Sequence, residues 1–195
     1  MRTAEIKRKT KETDILLTLN LDGSGESDIN TGCGFLDHML TLLAKQARIN
    51  LSVRCNGDIN VDYHHTVEDV GIALGKAYAQ ALGDKRGINR YGFFILPMDE
   101  SLILSSLDFS GRAFLGYDVP LRAKKVGDFD TELAEEFWLG FVRNAAVSLH
   151  IKKLAGTNTH HILEGCFKSV GKSLRLASSI DETLGGEIPS TKGVL

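Results

Sequence analysis

The hydrophobic positions of this chain change period several times, and each change marks a predicted element. Residues 2–10 alternate, and Ile15 to Leu21 alternate again before the turn Asp22-Gly23-Ser24-Gly25. Period two belongs to half-buried strands, so the opening reads as a hairpin. Beyond Thr31-Gly32-Cys33-Gly34, apolar residues recur at helical spacing: Phe35, Leu36, Met39, Leu40, Leu42, Leu43 and Ala47. They predict a helix with a broad buried face. Ile49, Leu51 and Val53 predict a strand over residues 49–55, and Asn56-Gly57-Asp58 a turn. A second helix is expected from about His64, carried by Val67, Val70, Ala73, Leu74 and Ala77.

The second half follows the same order. Phe93 to Leu96, Ser101 to Asp108 and Arg112 to Val119 read as strands, punctuated by Pro97, Gly111 and Pro120. Thr131 to Val147 reads as a helix, Ser148 to Leu154 as a strand, and a last helix starts near His160. Matching order predicts an α/β domain of layered α+β type, built as two tandem duplicated halves of about 1–86 and 87–195. Gly83-Asp84-Lys85-Arg86-Gly87 is the expected joint.

Composition narrows the function. A 195-residue chain with 43% hydrophobic and 25% charged residues is an ordinary globular protein with ample core. A net charge of −2 argues against a nucleic-acid or membrane-surface role. The basic run Ile6-Lys7-Arg8-Lys9-Thr10-Lys11 alternates and reads as a solvated strand face. No stretch reaches membrane-spanning length, and no signal-peptide core is present. Cys33, Cys55 and Cys166 lack C-x-x-C spacing and read as reduced core residues of a cytoplasmic protein.

The chemistry lies in a motif used twice. His64-His65-Thr66-Val67-Glu68 and His160-His161-Ile162-Leu163-Glu164 both read H-H-x-x-E, and they hold four of the six histidines. Imidazole is the commonest metal-ligating side chain. On a helix, neighbours diverge by roughly 100°, while residues three or four apart share a face. Each glutamate therefore aligns with one histidine of its pair, and the two histidines point apart. Such pairs suit two divalent ions, or one ion shared between copies on adjoining subunits, better than they suit chelation of one ion by one pair. His38, in Gly34-Phe35-Leu36-Asp37-His38, is a fifth candidate ligand. Counting back from the second doublet places Glu136 at the corresponding point, a sixth. His150 has no such partner and is assigned a structural role.

Several segments together resemble the imidazoleglycerol-phosphate dehydratase family. They are Gly34 to Leu40, His64 to Asp69, Gly87-Ile88-Asn89-Arg90-Tyr91-Gly92, Asp108-Phe109-Ser110-Gly111-Arg112, Asn158 to Glu164 and the tail Pro189 to Leu195. The resemblance runs from the first strand to the last residue and implies a monofunctional form, with no fused phosphatase. It also implies a fold of two half-domains related to the second domain of ribosomal protein S5. The implied activity is that of a hydro-lyase of histidine biosynthesis, converting imidazole glycerol phosphate to imidazole acetol phosphate. Manganese and a hollow 24-subunit particle, with active sites between subunits, are implied as well.

The substrate explains why metal is needed. The proton to be removed has no adjacent carbonyl to acidify it, so the imidazole ring must lose its N–H and expel the hydroxyl, giving a diazafulvene. Two ions on the ring nitrogens would stabilise the imidazolate as Lewis acids. Imidazole and carboxylate ligands suit Mn²⁺, Fe²⁺ or Zn²⁺ alike, so manganese rests on the resemblance. Where many members of the family carry a histidine, this chain carries Glu136. The resemblance further implies phosphate binding by Arg90, Arg112, Ser190 and Lys192, and proton transfer by Glu12. Glu164, or a water on one metal, is the next candidate base. A non-catalytic metal-binding shell would use the same ligands but needs no phosphate clamp, and a hydrolase would carry H-E-x-x-H instead.

Overall fold

The computed structural model describes residues 1–195. The chain runs β1 (Thr3–Lys9), β2 (Thr13–Asn20), β3 (Ser27–Asn30), α1 (Gly34–Ala47), β4 (Asn50–Gly57) and α2 (His64–Leu82). It continues β5 (Tyr91–Met98), β6 (Ser101–Asp108), β7 (Phe114–Asp118), a short hairpin β8 (Lys125–Val126) and β9 (Phe129–Asp130), then α3 (Leu133–Ala145), β10 (Ser148–Ala155) and α4 (Thr159–Ser178). Two four-stranded sheets have corresponding orders, β1-β2-β4-β3 and β5-β6-β10-β7. In each, only the pairing with the last edge strand is parallel. The fold is thus α/β in layers.

Several boundaries depart from the periodicity. β3 was not expected, because Ser27-Asp28-Ile29-Asn30 holds one apolar residue and no alternation. β5 runs through Pro97 rather than stopping before it; as an edge strand it tolerates the missing donor. β4 extends to Gly57, so the turn begins at Asp58. β7 begins at Phe114, two residues after Arg112. Helix α3 starts at Leu133 and stops at Ala145, where Ala146 takes the left-handed conformation with φ 50°. The basic strand β1 points Lys7 and Lys9 outward as expected, but Arg8 turns inward to the Asp69 carboxylate, which also accepts from Thr13 Oγ1 at 2.5 Å. Alternation alone hides such a pair, since an inward arginine looks like an interruption.

The helices do not stay with their own halves. Helix α2 lies on β1 and β2, and α4 on β5 and β6, but α1 packs against α4 and α3 against α2. Each long helix meets its partner at a glycine. A Cβ at Gly75 would stand 2.5 Å from the Phe141 carbonyl, and one at Gly171 would stand 2.9 Å from that of Leu43. Backbones therefore approach closely only because both positions lack a side chain. One continuous core, from Ala4 to Ala177, joins both sheets and all four helices.

Candidate active site

The two glycine crossings fix how the halves correspond. Gly75 faces Phe141 and Asn144, while Gly171 faces Leu43 and Gln46. The long helices are thus related by a step of 96 residues and the short ones by a step of 98. That second step carries His38 onto Glu136, so the carboxylate is the positional equivalent of the histidine.

At the start of α4, three side chains converge. His160 Nε2 lies 3.2 Å from Glu164 Oε2, one turn on, and His38 Nε2, from α1, lies 3.5 Å from the same oxygen. A ligand atom from each falls within 4.8 Å of the others. Glu164 is nearly buried, and Lys168 Nζ stands 2.5 Å from its other oxygen. Burial pushes this carboxyl up, but the hydrogen bond and charge of Lys168 outweigh it, with His160 adding, and it sits below its ordinary value. An ionised carboxylate flanked by two imidazoles is a donor set that fits a divalent cation.

The start of α2 follows the same plan more loosely. His64 Nε2 lies 3.8 Å from Glu68. Glu136, half-buried, occupies the place of His38, yet this trio does not close to 4.8 Å. In both doublets the rings stand nearly perpendicular, 88° for His64 and His65 and 85° for His160 and His161. The second histidine of each pair turns away from its trio. His65 Nδ1 faces Asp58 at 3.0 Å and His161 Nδ1 faces Glu100 at 2.8 Å, and each hydrogen bond raises its histidine's pKa. His161 and the backbone N–H groups of Asn158 and Thr157 hold the Glu100 carboxyl well below the usual carboxylate range. Asn158 also caps α4, accepting from His160 N at 2.9 Å.

Glu12 sits in the β1–β2 turn, about half exposed, with Oε1 3.7 Å from His65 Nε2. The four residues expected to bind phosphate gather around the tail. Arg90 donates to both oxygens of Asp108, at 2.7 and 3.1 Å, and to the Pro189 carbonyl at 2.9 Å. Arg112 is exposed, beside Gly111, whose added Cβ would stand 2.9 Å from the Leu195 carbonyl carbon. Lys192 N donates to Ser190 Oγ at 3.2 Å. His150 lies exposed on β10 against Phe114, ring centroids 5.3 Å apart, away from both trios. Asp58, Glu100 and Lys168 carry no sequence signal of their own. The equivalence of Glu100 with Glu12, each the residue before the second strand of its sheet, emerges only from the structure.

Fold and site together define a layered α/β enzyme with a candidate histidine–carboxylate metal centre. A sequence model of imidazoleglycerol-phosphate dehydratase matches residues 31–174. The imidazoleglycerol-phosphate dehydratase of Rhodopseudomonas palustris (strain BisB5) is 56% identical over 195 residues, covering 100% of this chain and 99% of that protein. That of Desulforamulus reducens is 57% identical over 194 residues, covering 100% and 98%. The crystal structure of the Pyrococcus furiosus enzyme, in complex with (S)-C348, superposes with a TM-score of 0.85 at 37% identity, covering 97% of this chain and 100% of that one. The Staphylococcus aureus enzyme gives 0.84 at 37% identity, covering 92% and 99%. The chain belongs to the imidazoleglycerol-phosphate dehydratase family. Its activity is the dehydration of imidazole glycerol phosphate in histidine biosynthesis. No helix is long and apolar enough to cross a membrane.

Proposed function

We propose that this dehydratase works with two divalent ions, manganese by family, each held by one trio and by a histidine of another copy of the chain. The convergence of His38, His160 and Glu164 carries the reading. His64, Glu68 and Glu136 form the second trio. Three ligands leave a divalent ion under-coordinated, and His65 and His161 face away from both trios, free to serve a neighbouring copy. When bound, the ions supply Lewis-acid stabilisation of the ring once it has lost its N–H.

Geometry within one chain supports a site shared between copies. Arg90 N donates to the Ala177 carbonyl near the end of α4, whereas Glu164 lies in its second turn. That stretch of helix spans about 20 Å at about 1.5 Å per residue. An imidazole ring, three carbons and a phosphate reach only roughly 10 Å with standard bond lengths. In this reading one chain's clamp serves a metal trio of another, within a closed assembly of 24 subunits by family.

In this reading Arg112, whose guanidinium has no partner in its own chain, and Lys192 and Ser190 bind the phosphate, with Arg90 bracing the tail as well as contributing charge. Glu12, beside His65 Nε2, moves the proton on the carbon chain, and Glu164 is the second candidate base. The matching sheets and helix steps support two pseudo-repeats, 1–86 and 87–195, making one domain. A cytoplasmic enzyme fits the three unpaired cysteines.

Elemental analysis tests the reading directly. The wild-type chain should hold close to two ions, and a His64→Ala, His161→Ala double variant should lose at least one. Unchanged metal content in that variant defeats the proposal. Chelation should also shift the assembly to smaller oligomers in sedimentation, because metal stabilises only the state that presents the ligands.

A further inference from the structure

Glu12 and Glu100 occupy equivalent turns, and each faces the second histidine of the doublet in its own half. Equivalent in position, they differ in commitment. The Glu100 carboxylate accepts from His161 Nδ1 at 2.8 Å, from Asn158 N at 2.8 Å, from Thr157 N at 3.1 Å and from Ser101 Oγ at 3.0 Å. The Glu12 carboxylate makes no hydrogen bond and only approaches His65 Nε2, at 3.7 Å.

Asp58 accounts for the difference. It follows β4 directly, and its two oxygens lie 3.0 and 3.2 Å from His65 Nδ1. Its backbone N–H donates to the Glu12 carbonyl at 3.0 Å, tying the two loops together. The residue that directly follows β10 is Gly156, at φ +127°, where a Cβ would stand 2.4 Å from Ser101 Oγ. No side chain fits there, so in the second half the turn glutamate must hold the histidine itself.

We propose that Asp58 and Glu100 are the positioning residues of the two doublets, and that Asp58 thereby leaves Glu12 free to move protons. A carboxylate only accepts, so in the neutral ring the hydrogen sits on Nδ1 and the Nε2 lone pair is left for a metal. The assignment rests on the two-ion reading above. Carboxylates behind ligating imidazoles fix tautomer and ring orientation and are typically worth about 10–100-fold in metal affinity.

The test is manganese affinity of the metal-stripped full chain, by competition with a chromophoric chelator, for Asp58→Ala, Glu100→Ala and Glu12→Ala. The first two should bind about 10–100-fold more weakly, and Glu12→Ala should stay within about twofold of wild type. Because Glu100 also caps the loop before α4, Glu100→Gln, which keeps those acceptor contacts, replaces the alanine variant if that fails to fold; it should weaken binding less than Asp58→Ala. Far-UV circular dichroism and the apo-state melting temperature check that folding is intact. Tight wild-type binding with Asp58→Ala or the Glu100 variant within about twofold overturns the assignment alone, as does Glu12→Ala losing as much as they do. A wild-type chain that takes up no divalent ion overturns the two-ion reading, and this assignment with it.

Discussion

The two trios share one backbone plan and differ in charge. His38, His160 and Glu164 place two imidazoles around one carboxylate, with Lys168 one turn further along. In the other trio Glu136 replaces the first histidine, and Ile72 stands where Lys168 does. Glu164 is 9% exposed and Glu68 34%. One site is preassembled around an ionised carboxylate paired with Lys168. The other has two carboxylates, Glu68 and Glu136, and an isoleucine where the first site has its lysine. Equivalent positions can therefore carry unequal roles: in the two-ion reading proposed above, the α4 trio is the preassembled site and the α2 trio the looser one.

The sharpest way to break this comparison is Glu164→Gln beside Glu68→Gln. Removing the shared carboxylate of the preassembled trio should halve metal content and lower turnover by roughly 10³-fold, the loss of several kcal/mol of charge stabilisation. Glu68→Gln should also lose one ion, leaving the other in place. If elemental analysis shows that only one of the two variants loses metal, the two trios are not two sites.

Next in size is Glu12→Gln, expected to slow turnover by roughly 10²-fold with KM nearly unchanged. Near-normal turnover would move the proton-transfer role to Glu164 or a bound water. Arg112→Ala removes a contact made in ground and transition states alike, so it should chiefly raise KM, by about tenfold. Arg90→Ala should raise KM and also lower the melting temperature, because it frees Asp108 and the tail together. Equal thermal stability of the two arginine variants would contradict that distinction.

The smallest effect is expected from Glu136→His, which gives the α2 trio the donor set of the α4 trio. Zinc should gain on manganese at that site, since imidazole favours the later metal relative to carboxylate. Competition between the two metals, followed by manganese paramagnetic resonance, reads the change. No shift in preference would mean that Glu136 is not a ligand.

Much of this comparison was legible in the residues. Period changes located four helices and seven of the ten strands, because burial on one face leaves a repeating mark. Ser27 to Asn30 escaped, since an exposed parallel edge needs no apolar alternation. The divergence of the doublets and the equivalence of His38 with Glu136 followed from helical geometry and counting. That His38 would meet the second doublet did not, because α1 crosses to the other half's helix through a contact made at Gly171, and a glycine names no partner. Asp58 and Glu100 were invisible for a similar reason, since an acid in a turn looks the same in sequence whether it faces water or a ring nitrogen, and Lys168 on α4 reads as an ordinary helix-surface lysine.

The exchange of helices between halves also sets the order in which the enzyme becomes competent during synthesis. His38 and its partners His160 and Glu164 are separated by most of the chain. A nascent chain growing at about 5–20 residues per second carries α1 exposed for several seconds before α4 emerges to cover it. Over that interval the first doublet and His38 exist without the groups that complete either trio. In the two-ion reading proposed above, the α4 trio can hold its metal only once α4 has been made, late in translation. Isolated halves would keep α2 and α4 on their own sheets but leave the α1–α4 and α2–α3 contacts unmade.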